Sequence, residues 1–212
     1  MGKFMAFQSA VFLYIIIIFS SIIHEFAHGW AALSLGDQTA QREGRLTLNP
    51  LAHIDPFGTV VLPLFLMFTS GIFIGYAKPV PFNPLNLKKP MRDTALVGIA
   101  GPSSNLLIAA ILGFIVRFFG NYVFLSEIAP FLSFVVVINI YLALFNLIPV
   151  PPLDGSKVLL GFFPKQFGKI YAYMEGLGFF SIFIALFLAM LILPNLAPLI
   201  FKLIVGKSFF LL

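Results

Sequence analysis

The sequence contains no cysteine in its 212 residues. Disulfides, thiolate metal sites and cysteine nucleophiles are therefore excluded, and any metal must be held by His, Asp or Glu. The absence also leaves the redox compartment undetermined. Charge is scarce as well: charged residues make up 10% of the chain against 60% apolar, and the mean hydropathy is +1.03. Soluble domains carry about 25% charged residues, so this is a polytopic membrane protein. The thirteen Lys and Arg, with a net charge of +5, are spread over the loops and suit anionic lipid better than nucleic acid. No internal repeat or low-complexity tail is present, and the terminal "VGKS" lacks the first glycine of a phosphate loop, Phe201 standing there. Neither nucleic acid nor nucleotide is an expected partner.

What is present is a series of apolar runs. Strong segments cover 7–35, 57–76, 94–119, 128–148 and 177–193, and a weaker one runs from 196 to the end. The expectation is an all-α polytopic membrane fold of five to six transmembrane helices in one domain, 1–212, with no room for an added soluble domain. Lys3 before an apolar stretch has the start of a secretory signal, but the run continues through Trp30 and Leu33, which predicts a retained first span. Between the runs, the alternating "GRLTLN" predicts a short β-hairpin or extended loop beside the first helix. "GYAKPVPFNPLNLKKP" holds four prolines in sixteen residues and must be extended. The prolines of "PVPPLDGSK" forbid helix there.

Within the first run lie His24, Glu25 and His28. Four residues apart on a helix, the histidines share one face and can direct ring nitrogens at one ion. Glu25 then stands beside the ion and not on it, as the general base of an H-E-x-x-H site. Each ionisable residue within a span costs about 2.5 to 3.5 kcal/mol, so three within five residues require compensation. A bound zinc ion supplies it; a polar helix contact, a proton relay or an ion pathway are the competing readings. Catalytic zinc takes three protein ligands, and the candidates for the third are His53, Asp37, Asp55, Asp93 and Asp154. Asp154 is best placed, directly after the helix broken by Pro149, Pro151 and Pro152. It would otherwise cap a helix starting near Gly155. His53 reads as a loop or supporting group. Gly98, Gly101, Pro102, Ser103 and Ser104 allow close helix packing, while Asn105 in the same span needs a partner.

Together, "HEFAH" in a span, "AGPSSN" opening a later one and "FNLIPVPPLDG" closing the next resemble the site-2 protease family of intramembrane zinc metalloproteases. "GRLTLNPLAHIDPFGT" and "AKPVPFNP" are similar to its small bacterial members, which lack PDZ and CBS domains. The resemblance implies zinc, one ion per chain, on His24, His28 and Asp154, with Glu25 catalytic. It implies that Asn146 donates its amide to the oxyanion or anchors the substrate backbone. Asn105 matches the asparagine of "GPxxN" in a supporting part. The catalytic core would cover about 7–160 and C-terminal helices about 176–212. The implied partners are a transmembrane-helix protein substrate and the lipid bilayer, and a homo-oligomer is compatible with the sequence.

His24, late in the first span, and Asp154, after the fourth apolar segment, reach one depth only if those helices run the same way. This predicts that the segment near 57–90 is re-entrant, its return leg being the proline-rich stretch. Arg42, Arg45, Lys78, Lys88, Lys89, Arg92, Lys157, Lys165 and Lys169 then share the site's side, against Lys3 and Arg117. The positive-inside rule makes that side cytoplasmic in a multi-pass cell-membrane protein. The rival function is a metal-ion or proton transporter using the cluster as transit ligands.

Overall fold

The computed structural model describes residues 2–70 and 78–207. The chain opens with α1 (Gly2–Ser34) and α2 (Thr39–Arg42). After a π-type turn over Pro56–Val61 comes α3 (Leu62–Ser70), and then α4 (Pro90–Phe119), α5 (Val123–Ser126) and α6 (Ala129–Asn146). The chain ends with α7 (Asp154–Phe162), α8 (Pro164–Gly176) and α9 (Ser181–Val205). Among the described residues four helical stretches are long and apolar enough to cross a membrane: Val11–Ser34, Pro90–Phe119, Ala129–Asn146 and Gly178–Val205. The all-α membrane fold expected from composition is the observed one.

The expected two C-terminal segments are a single helix. Pro194 and Pro198 lie inside α9, and a membrane helix tolerates prolines where neighbouring groups take up the freed carbonyls. One face of α9 carries the helix through both: Ser181, Ala185, Ala189, Leu193, Ala197, Phe201 and Val205 recur every fourth residue and are all buried. That stripe meets the rest of the bundle in two places. Leu193, Ala189 and Ala185 pack on Ile148, Val150 and Leu153, and Ala197, Phe201 and Val205 pack on Ala109, Val116, Val136 and Ile140. α9 therefore spans the bundle from the α6–α7 junction to the far end of α4.

Helix α4 is central, packing against α1, α6, α7 and α9. Small residues permit the close approaches: a Cβ on Gly161 would come 2.5 Å from Met91 O and from Ala95 Cβ, and one on Gly113 2.3 Å from Ile204 Cγ2.

The stretch from "GRLTLN" forms no strand among the described residues. Side chains, not a ladder, hold it. Arg45, buried, donates from Nη2 to Lys78 O at 2.8 Å and Pro79 O at 3.1 Å, and His53 Nε2 bonds Thr47 O at 2.8 Å. Pro79 and Pro81 cannot donate to a ladder, which is why alternation alone mispredicts a hairpin here. The turn of the expected re-entrant segment, at 71–77, lies outside the described residues. Its two flanks do meet: Lys78 N–H donates to His53 O at 2.9 Å.

Candidate metal centre

Helix α1 carries His24 and His28 one turn apart, and α7 begins with Asp154, delivered by the irregular 147–153 connection. The two Nε2 atoms lie 3.0 Å apart, and Asp154 Oδ2 is 3.1 Å from that of His24 and 3.0 Å from that of His28. All three side chains are buried, and one ligand atom from each lies within 4.8 Å of the others. The third member comes from 126 residues further along the chain than His28. Asp55 and Asp93 are engaged elsewhere, accepting from Gly58 N and Lys89 N respectively. Asp37 and His53 lie outside the cluster too.

The shape around the cluster tests whether an ion fits. A Cβ on Gly101 would stand 2.4 Å from His28 Nε2 and 2.5 Å from His24 Nε2. Glycine thus lets both imidazole rings lie directly against the α4 backbone, where any side chain would push them out of register with Asp154. Two imidazole nitrogens and one carboxylate oxygen are a catalytic zinc donor set. The residues fit the ion.

The opposite ring nitrogens are held by acceptors. His24 Nδ1 is 2.6 Å from Asn105 Oδ1, and His28 Nδ1 is 2.6 Å from Val97 O. A carbonyl oxygen there requires the proton on Nδ1, which presents the Nε2 lone pair to a cation. Asn105 is itself fixed: its Nδ2 donates to Asn139 Oδ1 at 2.8 Å and toward Ser20 O at 3.3 Å. Asn139 then donates to Ser20 Oγ at 3.0 Å and Val135 O at 2.9 Å. Asn105 and Asn139 are wholly buried. Sequence reasoning missed Asn139, although an amide inside "VVVINIYLAL" carried the same signal as Asn105: a polar side chain in a span wants a partner.

Glu25, half-buried, faces the same space from α1. Its Oε2 accepts from Val80 N–H at 2.8 Å, so the proline-rich stretch passes directly over it. That stretch is strapped at both ends. Arg45 holds Lys78 and Pro79; buried Asp37 accepts from Asn83 N at 2.7 Å and Asn86 Nδ2 at 2.7 Å. It is seated on α1 at Gly29, where a Cβ would meet Val80 Cγ1 at 2.8 Å and Leu46 Cδ1 at 3.1 Å. Burial pushes the Asp37 carboxyl up, but the bonds from Asn86, Thr39 and Asn83 outweigh it and hold the group below the usual carboxylate range. Lys157 Nζ donates to Asp154 Oδ1 at 3.0 Å, leaving Oδ2 to the histidines.

Asn146, the last residue of α6, turns its Nδ2 onto Leu142 O at 2.9 Å and lines the space beside His24 and Glu25. A cavity of about 170 Å³ is bounded by both histidines, Glu25, Val80, Asn146 and Asp154, with Pro152 and Lys157 at its edge. A smaller one of about 80 Å³ continues from His24, Glu25 and Asn146 to Ser21 and Leu142. His53 is buried with Nδ1 unpartnered and packs under the strap, away from the ion's space.

A buried His–His–carboxylate centre on the helices of a membrane bundle, with a glutamate beside it, defines a class of membrane metallopeptidase. Similarity to known proteins agrees. The profile of Peptidase family M50 matches residues 119–192. A Bacillus subtilis (strain 168) protein named "Putative zinc metalloprotease YwhC" is 37% identical over 195 residues, 88% of this chain and 85% of that one. Rip2 of Mycolicibacterium smegmatis, named in the same terms, is 36% identical over 146 residues, 67% of this chain and 53% of its own length. Zinc metalloprotease MJ0392 of Methanocaldococcus jannaschii is 31% identical over 83 residues, 39% of this chain and 24% of that protein. No solved structure matches. The chain belongs to peptidase family M50, the site-2 protease family; it is a zinc-dependent metallopeptidase with membrane helices. The transporter reading finds no support among these relatives.

Proposed function

We propose that the protein hydrolyses peptide bonds within or next to transmembrane helices of membrane-protein substrates, with zinc held by His24, His28 and Asp154 and with Glu25 as general base. When bound, the ion supplies Lewis acidity for the scissile carbonyl and for water. Glu25 takes the attacking water's proton and later delivers it to the leaving amine. Its bond to Val80 N–H orients the carboxylate at the wall of the cavity. Asn146, at the same cavity, turns from Leu142 O to the substrate backbone or the developing oxyanion. Asn105 acts through His24, fixing its tautomer. A helical substrate hides its carbonyls in internal bonds, so it unwinds locally before attack. Such cleavage suits regulated intramembrane proteolysis.

The observation that carries this reading is the convergence of His24, His28 and Asp154 on a cavity that also contains Glu25. Charge supports a cell-membrane orientation with the site toward the cytoplasm. Arg117 Nη1 donates to Leu203 O at 2.8 Å, which groups Arg117 with Lys202 and Lys207 at the end remote from the site. The remaining cations apart from Lys3 lie on the site's side, as the positive-inside rule requires. The bond between Lys78 and His53 supports a re-entrant 57–76, since the chain comes back to the level it left. Counting zinc per chain, and comparing cleavage of single-span test proteins by wild type and Glu25→Gln, tests the reading. Zinc retained with cleavage lost is the expected result; cleavage by Glu25→Gln overturns the role of Glu25.

A further inference from the structure

The two small cavities at the metal centre belong to a row of three. The 80 Å³ cavity shares His24, Glu25 and Asn146 with the 170 Å³ cavity, which shares Pro152 and Lys157 with a third of about 540 Å³. The row has a direction. Its narrow end, at Ser21 and Leu142, lies inside the spans of α1 and α6, and its wide end is walled by α7, α8 and the start of α9.

A polypeptide cut at the metal centre must occupy space on both sides of the scissile bond. Toward the spans there is little room. Toward α8 the space is of ligand-site size, typically about 300–1,000 Å³. Its lining is selective: Pro151, Pro152, Phe179 and Ile182 are apolar, and the two serine hydroxyls are already engaged. Ser156 Oγ donates to Leu153 O at 2.7 Å, and Ser181 Oγ donates toward Pro151 O at 2.6 Å and Gly178 O at 2.8 Å. The remaining polar groups stand in contact with partners, Lys157 with Asp154 and Glu175 with the Tyr171 hydroxyl at 3.4 Å. A wall that is mostly apolar and whose serine hydroxyls are spent favours burial of an apolar side chain, with Lys157 and Glu175 as its polar rim.

We infer that the 540 Å³ cavity is a specificity subsite that takes an apolar side chain of the substrate's extended segment on the α8 side of the scissile bond. This rests on the protease reading and adds where the substrate's other half goes. A large apolar residue a short step beyond the cut would then decide which membrane helices are cleaved, and the bond would be placed near the end of the span, not at its middle.

Peptidyl hydroxamates test it without a known substrate, since the hydroxamate chelates the metal and the attached side chain reaches the neighbouring space. The zinc-loaded protein is titrated with acetohydroxamate, and with otherwise identical hydroxamates bearing Ala, Leu or Phe side chains. In wild type, affinity rises about tenfold or more from Ala to Leu, as filling an apolar pocket by a few methylenes provides. Ile182→Trp, which fills the cavity from α9, abolishes the rise while leaving zinc content and acetohydroxamate affinity as in wild type. Ile182→Ala, which enlarges it, moves the preference from Leu to Phe; this second variant decides the matter if the first fails to fold. An Ala-to-Leu rise that survives in Ile182→Trp, or a preference unmoved in Ile182→Ala, overturns the subsite and leaves the protease reading standing. Failure of acetohydroxamate to bind zinc-loaded wild type overturns the metal reading itself, and the subsite with it.

Discussion

Nδ1 of His24 stands 2.6 Å from Oδ1 of Asn105, and this contact between α1 and α4 decides which nitrogen of the imidazole can meet a cation. The amide of Asn105 cannot turn over, because Asn139 and Ser20 accept from its Nδ2. The order of control runs from Ser20 and Asn139 to Asn105 and then to the ligand. Removing the acceptor in Asn105→Leu leaves the ring free to reorient and its Nδ1–H unpaired. Zinc affinity should fall about 10- to 100-fold, the usual cost of losing an outer partner of a ligating histidine. Competition against a chromogenic chelator measures it. Asn139→Leu should weaken zinc in the same direction but less, since Ser20 O still holds Asn105; an equal loss would show that Asn139 does more than orient the amide.

Gly101 makes a sharper prediction. Alanine there would place a methyl carbon within 2.5 Å of both histidine Nε2 atoms, so the two rings that would hold the ion must move apart or turn. The backbone of α4 is helical at this point and itself accepts alanine, so the cost falls on the two rings and not on the helix. Gly101→Ala should elute as wild type does in detergent, carry little zinc and cleave nothing. Full zinc stoichiometry in a folded Gly101→Ala protein would mean that the ion sits elsewhere.

These two positions show how far the sequence is legible. The spacing of His24 and His28 announced that both rings face one point because both lie on one continuous helix, where sequence distance maps directly onto space. Asp154 was legible for a different reason: the prolines before it cannot be helical, and irregular backbone next to a span has to line something. Asn139 carried the same signal as Asn105, but a lone amide in an apolar run announces a partner without naming it. Gly101 read as a packing glycine, and only the position of α4 shows that what packs against it is the pair of histidine rings. Of the hairpin and the loop that the alternation allowed, the described residues show the loop, because alternation reports facing, not pairing: the stretch lies against the proline-rich segment, but the donor is the Arg45 guanidinium. The single helix α9 was cut in two because hydropathy falls around Pro194 and Pro198, while the buried stripe that holds it together is a property of helical phase.

Lys157 lies between Asp154 and the 540 Å³ cavity. Its Nζ engages Asp154 Oδ1 at 3.0 Å, so the carboxylate is pinned with Oδ2 toward the histidines. Lys157→Met keeps the length of the side chain and removes the charge. Oδ1 then loses a charge-assisted bond worth about 1.5–3 kcal/mol, and zinc affinity should fall about tenfold, measured with the same chelator competition. Lys157→Arg should restore most of it. No change in Lys157→Met would show that the backbone at the start of α7 alone aims Asp154.

The strap over Glu25 depends on a carboxylate remote from the ion. Asp37 is fully buried and accepts from Thr39, Asn83 and Asn86, which anchors the far end of the 78–86 stretch to the end of α1. Its carboxyl is lowered in the folded protein, so the native state favours the ionised form more than the unfolded chain does. The stabilisation is then complete above the ordinary carboxylate range, near pH 4, and is lost as pH falls toward the lowered native value. Asp37→Asn removes that proton linkage while keeping one acceptor. Thermal midpoints in detergent, measured from about pH 7 down to about pH 3, should decline less steeply for Asp37→Asn than for wild type. Asp37→Ala should lower the midpoint at neutral pH as well, because the Asn83 and Thr39 N–H groups lose their acceptor at about 1–3 kcal/mol each. With the strap loosened, Val80 no longer holds Glu25, and cleavage should fall while zinc stays bound. Zinc lost together with the strap would mean that Asp37 supports the whole α1 end of the bundle and not the strap alone.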